Sequence, residues 1–479
     1  MNQDIPFGLS YSDVLLVPRR SRIESRNSVN TATHIAKDIE LNMPIITANM
    51  DTVTESAMAI AIAREGGLGI IHRFMEIERE VAEVQKVKRS EAYVIDKPYS
   101  ISKDSNIDEA KEIMSKSGVS GLLVVDRLNR LLGILSDRDV RFVTDGKMLV
   151  EEAMTPRKKL VVADPKITLG AALKSLDKNR LEKLPLVDKR NIVRGLITSK
   201  DIYRNIKSER SAKDRKGRLL VGAAIGIKGD YIERAKSLAK AEVDVLVLDV
   251  AHGHTESVMN AIKKVKKELT DTVLIAGNVA TPEGVEDLFS AGADGIKVGI
   301  GPGAACTTRR VTGAGMPQLT AVMECYSASK KLGISIIADG GIKDSGDITK
   351  SLAAGAAAVM IGSLFAGTDE SPGFFIRRDG AKFKAYRGMA SLGANISKKK
   401  LDNIHIDPDE ASQIVPEGVE SVVPYRGNVK EVVEQLLGGV KSGMSYCGAA
   451  SFDELKKNAR LIRLTQNAAK ESYEKLREY

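Results

Sequence analysis

At 479 residues, with 43% hydrophobic and 28% charged positions, the chain has room for two or three globular domains with sizeable cores. Its net charge of +9 arises from 72 basic residues interspersed with 63 acidic ones, and aromatics are 4%; this disfavours nucleic-acid binding and suits a solvated surface or an anionic small substrate. It has no apolar run of about 18 residues that could span a bilayer, no secretory leader in the opening MNQDIPFGLSYSDV, and three scattered cysteines without a Cys-x-x-Cys pair, which support neither a disulfide framework nor a structural zinc site. A reducing, cytoplasmic location is expected.

In chain order, eight short β-rich apolar runs stand out: PIITAN (44–49), LGIIH (68–72), LLVGA (219–223), DVLVLD (244–249), VLIAG (273–277), DGIKVG (294–299), ISIIAD (334–339) and AAVMIG (357–362). Each lacks clean polar alternation, so each reads as a strand buried on both faces. Between them, patterns such as YIERAKSLAKAEV and TPEGVEDLFSAGA repeat apolar residues three and four apart, as amphipathic helices do. Eight β/α units predict an α/β fold, a closed (β/α)8 TIM barrel.

About 150 residues separate the second run from the third, which marks an insertion. Within it, SGLLVVDRLNRLLGILSDRDVR (120–141) resembles EKLPLVDKRNIVRGLITSKDIYR (182–204) at a constant offset of 62, a duplication expected to pack as one compact accessory domain. Both copies resemble the cystathionine-β-synthase (CBS) motif, whose pairs commonly bind adenine nucleotides. The resemblance makes Ser136, Asp139, Thr198 and Asp201 candidate contacts for a regulatory adenine or guanine nucleotide; a duplicated module without a ligand is the alternative. The expected organisation is a barrel of residues 1–95 and 208–479, with a flap at 386–427 and a C-terminal segment, interrupted by a tandem CBS (Bateman) domain at 96–207. The charged stretch KSERSAKDRKGR (207–218) reads as a hinge.

Active sites of (β/α)8 barrels lie at the carboxyl ends of the strands. After the sixth run, GIGPGAACTTRR places Cys306 in a glycine-rich loop beside two threonines and two arginines. Glycines let backbone approach a ligand, and neighbouring arginines favour the thiolate, the reactive form of cysteine. Cys306 is therefore a candidate nucleophile, whereas Cys325 and Cys447 read as buried packing residues. Other strand ends supply Asp249, Asn278, the Asp339-Gly340-Gly341 turn and the Gly362-Ser363 pair; the carboxylates suit ribose hydroxyls and the glycine turns suit a phosphate. His252 and His254 lack a completing ligand for a metal and read as structural or cofactor-side residues.

The stretches NMPIITANMDTVTE, KGRLLVGAAIG, DVAHGH, GNVATPEG, GIGPGAACTTRRVTGAGMPQLTAV, IADGGIKDSGDITKSLAAGAAAVMIGSLFAGTDESPG, YRGMASLGA and VPEGVESVVPYRG together resemble the IMP dehydrogenase/GMP reductase superfamily over almost the whole chain. The resemblance implies Cys306 as the sulfur that attacks the purine C2, with Thr308 and Glu417 relaying a proton. It implies Asp339 at the ribose, Gly341, Gly362, Ser363 and Tyr386 around the phosphate, Gly340 and Gly388 as further substrate contacts, and Met389 with Glu417 at the base. Asp249, Asn278 and the Gly299-Ile300-Gly301 turn fall on the cofactor side. It further implies a homotetramer, possibly an octamer, and a potassium site at the carbonyls of Gly301, Gly303 and Cys306, completed across a subunit boundary by Glu471 and Ser472. The family's third C-terminal ligand is His, replaced here by Tyr473, and Ala304 replaces a phosphate-contacting Ser.

The dehydrogenase branch carries an Arg-Tyr pair in its flap to activate water. Residues 386–418, YRGMASLGANISKKKLDNIHIDPDEASQIVPEG, contain none. The expected activity is therefore that of the reductase branch, NADPH-dependent reductive deamination of GMP to IMP. The alternatives are an NAD-dependent IMP dehydrogenase using another base, such as Thr308 or one of Lys398, Lys399 and Lys400, and a catalytically silent nucleotide-binding scaffold.

Overall fold

A computed structural model describes residues 5–90, 94–95, 98–165, 167–199, 202, 210–401 and 415–473. Asp201 and part of the flap, 402–414, lie outside them. The chain divides into two compact units, the described residues within Met1–Ser90, Arg210–Asp214 and Leu219–Tyr479, and those within Glu91–Glu209 and Arg215–Arg218.

The first unit is built on a closed barrel of eight parallel strands. In chain order these are β1 (Ile45–Thr47), β2 (Leu68–Ile71), β3 (Gly222–Ile225), β4 (Val245–Asp249), β5 (Val273–Val279), β6 (Gly295–Val298), β7 (Ser335–Asp339) and β8 (Ala358–Ile361). Each is followed by a helix: α1 (Ser56–Arg64), α2 (Ile77–Ser90), α3 (Tyr231–Lys240), α4 (Glu256–Glu268), α5 (Pro282–Ser290), α6 (Gln318–Leu332), α7 (Ser345–Ala353) and α8 (Val429–Tyr446). Local chemistry places the helix starts: Thr255, Thr281 and Asp344 accept hydrogen bonds from the backbone N–H groups of Val258, Gly284 and Asp347, and Pro282 opens α5 where its missing N–H costs nothing.

Alternate residues along the strands divide between two cores. Ile46, Ile70, Val245, Val247, Ile275, Ile337 and Met360 fill the barrel, while Ile45, Ile71, Leu246, Leu248, Ile296 and Ile336 pack beneath the helices. The third expected run begins early. Residues 219–221 lead into β3, whose inward side chains are small, so the large apolar residues that mark the run in the sequence precede the strand itself.

An antiparallel hairpin, Thr33–Ala36 with Ile39–Leu41, closes the N-terminal end of the barrel. Ile35, Ile39 and Leu41 join the interior core, Thr33 Oγ1 donates to the Ala357 carbonyl at 2.7 Å, and Ser335 Oγ donates to that of His34 at 2.9 Å. The opposite, carboxyl-terminal end is thereby left for chemistry. The stretch expected as a hinge behaves differently over 210–214: Ala212 is buried in the interior core and its N–H donates to the Ala63 carbonyl at 2.8 Å.

Below the barrel core, buried Lys88 at the end of α2 joins Asp244 at 2.6 Å, Asp214 at 3.0 Å and the Leu219 carbonyl at 3.2 Å. Burial pushes Asp244 up to about 6 even with this ammonium beside it. Lys88→Met removes the shared ammonium from two carboxylates and is expected to cost about 3–5 kcal/mol, measured as a drop in the urea midpoint.

In the second unit each copy of the repeat is an antiparallel hairpin, Gly121–Val125 with Leu131–Ser136 and Lys183–Val187 with Val193–Thr198. Asp126 and Asp188 cap the two turns, and Asn129 and Asn191 both take a left-handed φ of 60°. The hairpins meet reciprocally: Leu131 N–H donates to the Asn191 carbonyl and Val193 N–H to that of Asn129, each at 3.0 Å. The duplication therefore becomes a pseudo-twofold pair with a shared core of Leu123, Leu131, Ile134, Val187, Val193 and Leu196. Ser136 and Asp139 are engaged with each other, the Ser136 hydroxyl donating to Asp139 Oδ2 at 2.7 Å at the start of the helix Asp137–Val140. No helix among the described residues is long and apolar enough to cross a membrane.

Candidate active site

The loop leaving β6 turns sharply at Gly299 and Gly301, where φ is 149° and 80°; a Cβ at Gly299 would stand 2.3 Å from the Asp339 carbonyl oxygen. Cys306 follows on the same loop and forms an isolated antiparallel bridge with Gly418 of the flap. Thr307 N–H donates to the Glu417 carbonyl at 2.8 Å and Val419 N–H to the Ala305 carbonyl at 2.9 Å. This main-chain pairing brings Glu417, 111 positions beyond the cysteine in sequence, into the cysteine's own loop.

The side chains then form a chain of proton carriers. Cys306 Sγ lies 3.2 Å from Thr308 Oγ1, and the Thr308 hydroxyl donates to Glu417 Oε2 at 2.7 Å. A hydroxyl between a thiol and a carboxylate accepts from one and donates to the other, so a proton can pass along it in either direction. Of the neighbouring arginines, Arg309 donates to the backbone carbonyls of Ile300 and Met316.

Two carboxylates stand at the ends of β4 and β7. Asp249 accepts from Asn49 Nδ2 at 2.6 Å and Lys297 Nζ at 2.8 Å; Asp339 accepts from the same Lys297 Nζ at 2.7 Å and from Asn278 Nδ2 at 2.9 Å. Burial pushes the Asp249 carboxyl upward, but the Lys297 ammonium and the Asn49 amide outweigh it and hold the group below the usual carboxylate range. Tyr386, buried against the strand ends, is pushed up to about 12 by burial and by the nearby Asp339 and Cys306, so its hydroxyl remains a donor.

These groups surround one open cavity of about 410 Å³. Of the residues singled out from sequence, Cys306, Thr308, Glu417, Asp339, Gly340, Tyr386, Gly388, Met389, Asp249, Asn278, Gly299, Gly301 and Gly303 all line it. Gly341 instead lines a neighbouring depression with Pro302, Arg309 and Gln318. Gly362 adjoins the Tyr386 hydroxyl and Met50, Ser363 begins the short helix Ser363–Ala366, and Ile300 turns its carbonyl to Arg309. Glu471 is exposed on the helix Gln466–Tyr473; the side chains of Ser472 and Tyr473 lie outside the described residues. His254 pairs with Asp287 at 2.8 Å.

Sequence reasoning missed Lys297, Asn49 and Arg73, which lines the cavity near Asp249. It also missed the Asp51–Arg387 ion pair, which fastens the flap strand Ala381–Arg387 to the loop after β1. The available signal was a lysine within an otherwise apolar strand, DGIKVG.

The arrangement gathers a thiol, a hydroxyl hydrogen-bonded to a carboxylate, and the Asp249 and Asp339 carboxylates around one cavity of about 410 Å³. Comparison with known proteins agrees with that chemistry. Residues 8–474 match the model of the IMP dehydrogenase / GMP reductase domain. An inosine-5′-monophosphate dehydrogenase of Nitrosopumilus maritimus is 49% identical over 466 residues, covering 97% of each chain. A GMP reductase of Leishmania major is 46% identical over 477 residues, covering 98% of this chain and 96% of its own. Among solved structures, a cysteine-to-alanine GMP reductase of Trypanosoma brucei in complex with guanosine 5′-monophosphate superposes with a TM-score of 0.86 at 43% identity, covering 98% of each chain. The chain therefore belongs to the IMP dehydrogenase/GMP reductase family, as an NAD(P)-dependent oxidoreductase acting on IMP or GMP.

Proposed function

We propose that the protein is a GMP reductase, converting GMP to IMP and ammonia with NADPH through a covalent thioimidate between Cys306 and the purine C2. The Cys306–Thr308–Glu417 chain carries this reading, because the amine leaving the carbon that the sulfur attacks needs a proton on its nitrogen. Sulfur adds to C2, the bond from C2 to the exocyclic nitrogen breaks, and Thr308 passes a proton from Glu417 to the departing ammonia. A nicotinamide held on the Asp249 side would supply a hydride for C2 of the thioimidate; the C2–S bond would then break, leaving IMP and a free Cys306. Asp339 would accept the ribose hydroxyls, Tyr386 and Gly388 would meet the phosphate, and Met389 the base.

The cofactor would lie toward Asp249. Asn278 Oδ1, on the amide that donates to Asp339, is buried without a hydrogen-bond partner among the described residues, and a carboxamide N–H donor of nicotinamide would satisfy it. The choice of reductase over dehydrogenase is supported by the absence of an Arg-Tyr pair from residues 386–418. The dehydrogenase reading has one observation in its favour, a relative of that activity at 49% identity. With GMP and NADPH the purified protein is expected to oxidise NADPH, and with IMP and NAD to produce no NADH. The reverse pattern overturns the branch, and inactivity with both pairs leaves a binding scaffold.

The same proposal places potassium at the carbonyls of Gly301, Gly303 and Cys306, a neutral oxygen set suited to a monovalent cation, with a homotetramer supplying Glu471 and Ser472 across the subunit boundary. It assigns the second unit as a CBS pair binding an adenine or guanine nucleotide near Ser136, Asp139 and Thr198, and the protein to the cytoplasm. The duplicated hairpins joined about a pseudo-twofold support that assignment.

A further inference from the structure

Lys297 heads the fully buried side chains by size, at 1% exposure, yet it carries a charge. On β6 its neighbours Ile296 and Val298 pack outward beneath the helices, which turns Lys297 into the upper end of the barrel. A buried ammonium persists only where opposite charge and hydrogen bonds surround it. Here Asp249 Oδ1 at 2.8 Å and Asp339 Oδ2 at 2.7 Å meet that need.

The two carboxylates serve different halves of the cavity. Strands β4 and β7 are not neighbours, since β5 and β6 run between them, and no ladder ties Asp249 to Asp339. Among the described residues, Lys297 alone hydrogen-bonds to both. Each carboxylate also has its own amide, Asn49 for Asp249 and Asn278 for Asp339. Asp339 Oδ1 keeps no protein partner among the described residues and can accept a ligand hydroxyl.

We propose that Lys297 is a positioning residue that couples the two half-sites, one shared ammonium fixing Asp249 and Asp339 together so that nucleotide and dinucleotide bind better jointly than singly. The inference rests on the reading above, with a purine nucleotide at Asp339 and a nicotinamide dinucleotide at Asp249. A ligand that orders Asp339 also orders the ammonium, and through it Asp249. The second ligand then meets an acceptor already in place and loses less freedom on binding. A lysine that served only the stability of the barrel would leave this cooperativity untouched.

The test uses IMP with NADPH, a product and a reduced cofactor that do not react with each other. NADPH affinity is measured by fluorescence titration of the full chain with and without saturating IMP. In the native protein IMP is expected to tighten NADPH by about tenfold. In Lys297→Met that factor should fall to about one, with each ligand weaker by roughly tenfold on its own, while Lys297→Arg restores a coupling of several-fold. Should Lys297→Met not fold, Lys297→Gln, which keeps one amide donor without the charge, is expected to lose the coupling likewise. Binding of both ligands with undiminished coupling in a folded neutral variant overturns the role of Lys297. Failure of the native protein to bind IMP and NADPH overturns the reading of the cavity, and this proposal with it.

Discussion

Cys306→Ser is expected to lower turnover of GMP by roughly 10³- to 10⁶-fold while GMP binding stays within a few-fold of native. Serine preserves the size of the side chain and its hydrogen bond toward Thr308, which lies 3.2 Å from the sulfur. It does not preserve the nucleophile, because a serine hydroxyl attacks carbon only when a base removes its proton in the transition state. The binding contacts proposed for the nucleotide lie on Asp339, Tyr386, Gly388 and Met389, on other loops. Calorimetric titration of GMP beside steady-state NADPH oxidation separates the two quantities. Turnover within about tenfold of native would remove covalent chemistry from the account.

Glu417→Gln carries the second large effect, a fall in kcat of roughly 10²- to 10³-fold with the KM for GMP changed by no more than a few-fold. The substitution keeps the length of the side chain and leaves the main-chain pairing of Thr307 N–H with the residue-417 carbonyl in place. The flap is therefore still held against the cysteine loop, and what disappears is the carboxyl group that exchanges a proton with the Thr308 hydroxyl. Steady-state kinetics at varied GMP gives the split. A raised KM with an intact kcat would move Glu417 from proton transfer to base recognition.

The barrel was legible because strands covered on both faces must be apolar almost throughout, and eight such runs leave few other folds. The accessory unit was legible because a duplication preserves its turn residues, here Asp126 with Asp188 and Asn129 with Asn191. At the site, Cys306, Asp249 and Asp339 declared themselves by position at strand ends. Glu417 came only from family resemblance, since its approach to Thr308 depends on a main-chain bridge between segments 109 residues apart. Lys297 escaped because one lysine does not alter the apolar character of DGIKVG. Its meaning appears only when barrel closure brings in partners 48 and 42 residues away. The three-stranded sheet Phe375–Arg378, Ala381–Arg387 and Glu420–Pro424 escaped too, because its exposed strands carry lysines and arginines in place of a clean apolar face.

The most direct measurement is the intact mass of the protein quenched in acid during turnover of GMP with limiting NADPH. The account predicts a species heavier than the free chain by GMP less ammonia, mapped to Cys306 by peptide digestion and absent from Cys306→Ser. Free enzyme alone under these conditions, while NADPH is being oxidised, would contradict it.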